Sequence, residues 1–427
     1  MELINNYQVP EGYKKTEIGV IPEDWEVVPL KDLIDADRRI TYGIVVPGQH
    51  TSNGVPMIRA QDYSRGWVDI EDLYRVSPKI DESYKRSRVI PDDILLTIVG
   101  SVGNLAKVPS GFRNTNITQQ TARLAFNKKA FADFYFNILQ SKLGKNVILN
   151  YTKSGVQPSL NLSDVEKFNL PYPPLREQKA IAQTLSDVDA LIAALDKHIA
   201  KKRNIKTGTM QQLLTGKTRL PGLGGSWKTM LFLEIAWCRK ERIDPRKSGT
   251  QEFCVELEHI ESGTGRLLGN TQTGDQSSLK AVFQPGDVLF GKLRSYLQKY
   301  WIADREGVCS TEIWVLAANA RLVISKFLYQ VVTTEQFINA ASNAYGTHMP
   351  RSDWNIVKNY KVAVPPLPEQ KAIAKVLFDI DTEITVLEKR RAKTQAIKQG
   401  MMQELLTGRT RLKIEHPDDP ITKNSNG

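Results

Sequence analysis

The chain is short of the residues that build metal centres, disulfide frameworks and membrane spans. Among 427 residues there are three cysteines, Cys238, Cys254 and Cys309, all in the second half and none paired at zinc-ligand spacing. That usage excludes a disulfide framework and fits reduced thiols in a cytoplasmic protein. The five histidines are scattered, so no metal cluster is expected. No apolar run reaches the roughly 18 residues of a membrane span, and the opening stretch MELINNYQVPEGYKK has no apolar signal-peptide core. No membrane association is therefore expected. A Gly-x-x-x-x-Gly-Lys-Ser/Thr loop is missing, which excludes an ATP motor of that class, and so is a glycine-rich strand–turn–helix cofactor loop. Asn169-Leu170-Pro171-Tyr172 superficially matches the Asn/Asp-Pro-Pro-Tyr loop of amino-methyltransferases, but the second half has Lys361-Val362-Ala363-Val364 in its place. Pro91-Asp92 lacks the downstream Glu-x-Lys or Asp-x-Lys of a nuclease, and turn chemistry accounts for it better. No catalytic residue and no metal ligand is expected in this chain.

What the chain does have is a duplication and a positive charge. Residues 173–220 and 365–412 align without a gap, with well over half of their positions identical. Both begin Pro-Pro-Leu-x-Glu-Gln-Lys-Ala-Ile-Ala and both end Leu-Leu-Thr-Gly-Lys/Arg-Thr-Arg-Leu. The formal net charge is +11 and the pI is near 9.3, which favours a polyanionic partner such as nucleic acid. Most of the excess sits on the two repeats, although they are a minority of the chain.

Each repeat reads as a long helix. Ile181, Leu185, Val188, Ile192 and Leu195 keep the alternating three- and four-residue spacing of a coiled-coil seam. Ile373, Leu377, Ile380, Ile384 and Leu387 repeat it in the second copy. The helices are expected to start near Glu177 and Glu369, where acidic residues suit the helix dipole. They are expected to end at Thr215-Gly216 and Thr407-Gly408, where glycine can take a left-handed cap. About 38 residues at roughly 1.5 Å each give a rod of roughly 57 Å. One amphipathic rod cannot hide its seam alone, so the two copies are expected to pair antiparallel.

The repeat continues faintly upstream. Asp24-Trp25 answers Ser226-Trp227, and Ile90-Pro91-Asp92-Asp93-Ile94 answers Gln284-Pro285-Gly286-Asp287-Val288. The organisation expected is a first domain over 1–172 with an N-terminal arm, a helical region over 173–218, a second domain over 219–364, a second helical region over 365–412 and a flexible tail over 413–427. Short β-branched runs (93–99, 288–290, 312–316) and helical patches (130–143, 322–341) predict two similar mixed α/β (α+β) domains with twisted, largely antiparallel sheets and an overall pseudo-twofold.

The loops of these domains carry amides, cations and short hydroxyls, the side chains that read phosphates and base edges. In the first domain the candidate DNA-binding residues are Arg39, Thr41, Tyr42, Arg59, Gln61, Tyr63, Ser101, Asn104, Thr118, Gln119, Gln120, Lys153 and Ser154. In the second they are Lys240, Arg242, His259, Lys292, Arg294, Tyr296, Ser310, Thr311, Tyr345, His348 and Arg351. Corresponding loops keep their place and change their chemistry: Gln119-Gln120 answers Thr311-Glu312. A shared scaffold with altered loops suits two readers of different sequences.

With these motifs the chain resembles the specificity subunit of a type I restriction–modification system over its whole length. The doubled Pro-Pro-Leu-x-Glu-Gln motif carries most of the likeness, helped by Ile18-Gly19-Val20-Ile21-Pro22-Glu23-Asp24-Trp25. The resemblance implies two target-recognition domains, each reading half of a gapped, non-palindromic site in double-stranded DNA. It implies two modification subunits docked on the helical regions, with restriction subunits joining them. It places S-adenosylmethionine, ATP and magnesium on those partners and adenine methylation or cleavage in their hands. A catalytic methyltransferase or nuclease fusion, and a scaffold that never touches DNA, are the competing readings.

Overall fold

A computed structural model describes residues 9–274, 278–342 and 350–413. The chain forms two compact units. The first comprises 1–194 with 391–427, and the second 195–390. Each unit thus holds one globular domain and a share of both long helices.

In the first unit, β1 (Tyr13–Thr16) and β2 (Gly19–Pro22) form a hairpin. Strand β3 (Glu26–Pro29) pairs with β11 (Asn169–Tyr172) and closes the domain onto its own ends. A four-stranded antiparallel sheet runs β4 (Thr41–Tyr42), β10 (Thr121–Leu124), β7 (Ile94–Thr97), β8 (Leu105–Lys107). A three-stranded sheet runs β6 (Tyr74–Val76), β5 (Val55–Ile58), β9 (Asn116–Ile117), with β5 and β9 parallel. Helix α1 (Pro78–Ser83) starts on a Ser77 cap with proline in its first turn. The patch predicted over 130–143 is two helices, α2 (Ala132–Gln140) and α3 (Lys142–Tyr151). Ser141 divides them, since its hydroxyl accepts from the Gly144 amide and caps the second. Helix α4 (Leu162–Val165) leads into β11.

The second unit repeats this plan. Strands β12 (Lys228–Leu231) and β21 (Lys361–Val364) pair as β3 and β11 do. The main sheet runs β13 (Ala236–Cys238), β20 (Ile313–Ala318), β17 (Val288–Gly291), β18 (Tyr300–Ile302). The smaller sheet gains a strand: β14 (Arg242–Ile243), β16 (Lys280–Phe283), β19 (Gly307–Ser310), β15 (Cys254–Val255), the last pair parallel. Short helix α6 (Phe232–Ile235) precedes both sheets and α7 (Pro245–Ser248) follows β14. Helices α8 (Ser325–Val332), α9 (Glu335–Ser342) and α10 (Trp354–Val357) follow the sheets. The fold is the mixed α/β architecture with two similar domains that the periodicities predicted.

The long helices are α5 (Leu175–Leu213) and α11 (Leu367–Leu405), 39 residues each. Both start two residues before the expected glutamate and stop short of Gly216 and Gly408, which take φ of 69° and 68°. In the second unit they run antiparallel, because the partners of Lys202 and Arg203 both lie beyond the partner of Lys206 in α11. Lys202 pairs with Glu383, Arg203 with Glu388 and Lys206 with Asp381. In the first unit Lys398 pairs with Asp189 at 2.7 Å, the repeat-equivalent of Lys206–Asp381.

At its ends the seam also enters the domain cores. Ile181 and Leu185 are buried in the core of the first domain, and Ile373 and Leu377 in that of the second. They hold each helix to the domain before it and share those cores with the other helix. Further along, Leu195 and Ile384 are buried and Val188, Ile192, Ile380 and Leu387 half-buried. Each domain core also takes in the far end of the other helix. Leu405 and Leu406 pack with Trp25, Phe134 and Phe168 in the first unit. Leu213 and Leu214 pack with Phe232, Phe290 and Phe327 in the second.

The duplicated Glu-Gln pair locks these junctions. Glu177 is buried and accepts from Trp25 Nε1 at 2.9 Å and from Arg411, which also forks onto Asp24 at 2.8 and 2.9 Å. The Asp24 hydrogen bonds, with those to Glu177, hold the Arg411 pKa above its ordinary value. Glu369 likewise accepts from Trp227 Nε1 at 3.0 Å and Arg219 at 2.6 and 2.8 Å. Gln178 joins the Phe131 amide to the Lys129 and Pro173 carbonyls, and Gln370 joins the Ile324 amide to those of Leu322 and Pro365. Each carboxamide thereby satisfies one buried donor and two acceptors.

Gln330 in α8 is buried with neither amide atom bonded among the described residues, whereas Asn137, at the equivalent place in α2, donates to the Asp133 carbonyl at 2.8 Å. An unpartnered buried amide is destabilising. Gln330→Leu is expected to stabilise the second domain by about 1–2 kcal/mol, which urea denaturation would show as a raised midpoint at unchanged slope.

Candidate nucleic-acid interface

The first unit contains an open cleft of about 640 Å³ where the ends of both sheets meet. Seven of the predicted residues line it: Arg59, Gln61, Ser101, Asn104, Thr118, Gln119 and Gln120. The reason lies in the strand ends. Arg59 and Gln61 follow β5, Ser101 and Asn104 sit between β7 and β8, and 118–120 form the turn from β9 to β10. Backbone bonds tie these loops together: Thr118 N–H to the Ile58 carbonyl at 3.1 Å, Gln119 N–H to Ile44 at 3.0 Å and Gly100 N–H to Pro158 at 3.0 Å.

The side chains fall into two groups. Arg59 is fixed, because its guanidinium forks onto the buried Asp62 carboxylate at 2.9 and 3.1 Å. By contrast, the amides of Gln61, Asn104, Gln119 and Gln120 make no side-chain hydrogen bond among the described residues, and Gln61, Gln119 and Gln120 are exposed. Thr118 Oγ1 is buried in the cleft wall without a partner among the described residues. Val45 from the preceding loop adds an exposed apolar edge. Sequence reasoning missed it, although the run Ile44-Val45-Val46-Pro47 in a loop was the available signal.

The other first-domain candidates fare differently. Tyr63 is a correction: it is buried, and its hydroxyl bonds Thr97 at 2.7 Å and Thr121 at 3.1 Å, so it belongs to the core. Arg39, Tyr42, Lys153 and Ser154 are exposed but outside the cleft lining. The Thr41 hydroxyl donates to the Tyr42 carbonyl at 3.1 Å. The neighbouring Arg38 is structural, forking onto the buried Asp93, and Arg239 does the same to Asp287 in the second unit. Pro91-Asp92-Asp93 is thus a strand-entry turn with a clamped arginine.

In the second unit the loop between β17 and β18 presents cations instead. Lys292 is half-buried and Arg294 exposed, and neither has a side-chain partner among the described residues. Tyr296 beside them is 54% exposed. Backbone bonds fix the loop: Lys292 N–H to the Glu312 carbonyl at 3.0 Å and Arg294 N–H to that of Pro350 at 2.9 Å. Arg351 is bound to Glu312 at 2.9 Å, which neutralises it as a free cation. Ser310 and Thr311 are half-buried, and the Ser310 hydroxyl accepts from the Glu312 amide. His259 is committed to the backbone, its Nδ1 accepting from the Glu256 amide at 3.0 Å. Lys240 and Arg242 are exposed. Tyr345 and His348 lie outside the described residues. The cysteines supply no thiolate near neutrality, since burial pushes Cys238 up to about 12 and Cys254 up to about 11.

Among the described residues no group of three or more His, Cys, Asp and Glu could hold a metal ion, and no helix is long and apolar enough to cross a membrane. Much of the positive charge of the repeats is spent internally, on Asp189, Asp381, Glu383, Glu388, Glu177 and Glu369.

Comparison with known proteins agrees with this geometry. The chain is similar to the type I restriction enzyme MjaVIII specificity subunit of Methanocaldococcus jannaschii, 24% identical over 97% of this chain and 99% of the relative. It is 30% identical to the EcoBI specificity subunit of Escherichia coli over 48% of this chain and 45% of that protein. Its fold is that of the crystal structure of the type I restriction–modification S subunit from M. genitalium, with a TM-score of 0.53 at 15% identity, covering 89% of this chain and 96% of that one. Residues 22–203 and 264–399, more than half of the chain, match the family described as the type I restriction modification DNA specificity domain. The chain belongs to that family, a family of DNA-specificity domains rather than of catalytic ones.

Proposed function

We propose that this chain is the DNA specificity subunit of a cytoplasmic type I restriction–modification complex. Each recognition domain reads one half of a gapped, non-palindromic duplex site, and the paired helices set the gap. Two modification subunits dock on the helical regions and restriction subunits join them. S-adenosylmethionine, ATP and magnesium belong to those partners, which methylate adenine or cleave. This chain contributes recognition only.

The observation that carries the reading is the pair of recognition surfaces. Two domains share one sheet plan, yet their loops present amides in the first and cations in the second that have no side-chain partner among the described residues. A duplicated reader with altered loops yields a site whose halves differ. The names of the relatives support the same assignment. Half-sites about one helical turn, roughly 34 Å, apart would lie on one face of the DNA.

Binding to duplex DNA tests this against a scaffold role. With its modification subunits, the chain is expected to bind duplex with an affinity that falls at least roughly a hundredfold between about 50 and 200 mM salt, as counterion release requires. Affinity that is absent or insensitive to salt would favour the scaffold. Methyl transfer by the isolated chain would favour the catalytic fusion.

A further inference from the structure

In the second domain Arg294 adopts φ 52° and ψ 55°, the left-handed region that side chains other than glycine enter only at a cost. Its counterpart in the first domain, three residues beyond the equivalent strand, is Gly100 at φ 83°. The same turn is therefore built without strain in one half and with strain in the other. The strained version is anchored: the Ser295 hydroxyl bonds the Ala341 carbonyl at 3.2 Å and Ser342 at 3.0 Å, and the Arg294 amide bonds Pro350. Nothing among the described residues receives the guanidinium, which is exposed. Strain kept to hold at a loop tip an arginine without a partner among the described residues points to a ligand.

From this we infer that Arg294 reads guanine in the half-site of the second domain, whereas the first domain reads an A·T pair through Gln119 and Gln120. The inference rests on the DNA-specificity reading above. Arginine can donate two parallel hydrogen bonds to guanine O6 and N7, and glutamine can make a matching pair with adenine N6 and N7. Near the amides stands Val45, an apolar surface of the kind that meets the thymine methyl. At the place of Gln120 the second domain has Glu312, already engaged by Arg351, so the amide mode is not available there.

The test is the methylated motif of the full complex in a host carrying no other such system, read by sequencing for the wild type, Arg294→Gly, Arg294→Lys and the double variant Gln119→Ala/Gln120→Ala. Arg294→Gly is expected to relax one guanine position in one half-site by roughly ten- to a hundredfold. Its melting temperature should be unchanged or higher, since strain is relieved. Arg294→Lys keeps the charge but not the fork, and is expected to relax the same position. The glutamine variants should relax an A·T pair in the other half-site. A motif unchanged by Arg294→Gly, a relaxed position that is not guanine, or both sets of variants acting on the same half would overturn the inference. Uniform weakening at every sequence would also overturn it, because it marks a phosphate contact. A wild type that yields no two-part motif would instead defeat the DNA-specificity reading itself.

Discussion

A chain ending at Gln403 is expected to lose the fold of its first recognition domain and to keep that of the second. The deleted residues include Leu405 and Leu406, 4% and 1% exposed in the core that holds Trp25 and Phe168. Removing buried leucines costs about 2–5 kcal/mol each. The deletion also takes Arg411 from the buried Glu177, and an uncompensated buried charge costs about 3 kcal/mol or more. The Tyr13 hydroxyl loses its bond to the Gly408 carbonyl at 3.0 Å, a smaller effect. Together these losses approach roughly 8 kcal/mol, within the 5–15 kcal/mol that stabilises a whole domain. The equivalent elements of the second unit, Leu213, Leu214 and Arg219, are untouched. Hydrogen exchange should show protection lost from β3, β7, β10 and α2 while β17, β20 and α8 stay protected. Protection retained in the first set would contradict the role given to the C-terminal helix end.

Replacing Glu177 by alanine is expected to destabilise the first domain by about 3 kcal/mol. The carboxylate is buried and serves the Trp25 indole N–H together with Arg411, so its removal strands both donors. Arg411 is 39% exposed and keeps Asp24, which limits its own loss. Arg411→Ala alone should therefore cost at least as much as Glu177→Ala, because it leaves the buried carboxylate without its cation. The double variant should cost clearly less than the two added together, because both remove one interaction. Glu369→Ala should act the same way on the second domain through Trp227 and Arg219. Full additivity in urea denaturation would show that the carboxylate and guanidinium do not stabilise one another.

Much of this arrangement is legible in the sequence because it is written twice. The heptad spacing, the proline pairs and the glycines after Leu-Leu-Thr place two long helices to within a few residues at each end. What periodicity cannot reveal is which neighbour an apolar face meets. Ile181 and Val188 look alike on a helical wheel, yet Ile181 and Leu185 enter a domain core while the half-buried Val188 lies further along the seam. Glu177 read as a dipole partner, whereas its burial between Trp25 and Arg411 depends on contacts hundreds of residues apart. The signal was present, since a tryptophan, a Glu-Gln pair and a Thr-Arg-Leu end recur together in both halves. In the cleft, loops flanking β5, β7 and β9 converge as the sequence suggested. Tyr63 failed because a tyrosine in a polar loop and a tyrosine under a sheet carry the same local pattern. Arg294 stood out as a cation, but its left-handed backbone was not visible without its counterpart Gly100.

The most direct measurement is the methylated motif produced in a host carrying this chain with its modification subunits. The expected result is two short, different half-motifs separated by a spacer of fixed length and free sequence. A single continuous motif, or one whose halves mirror each other, would contradict two different readers held on one paired-helix frame.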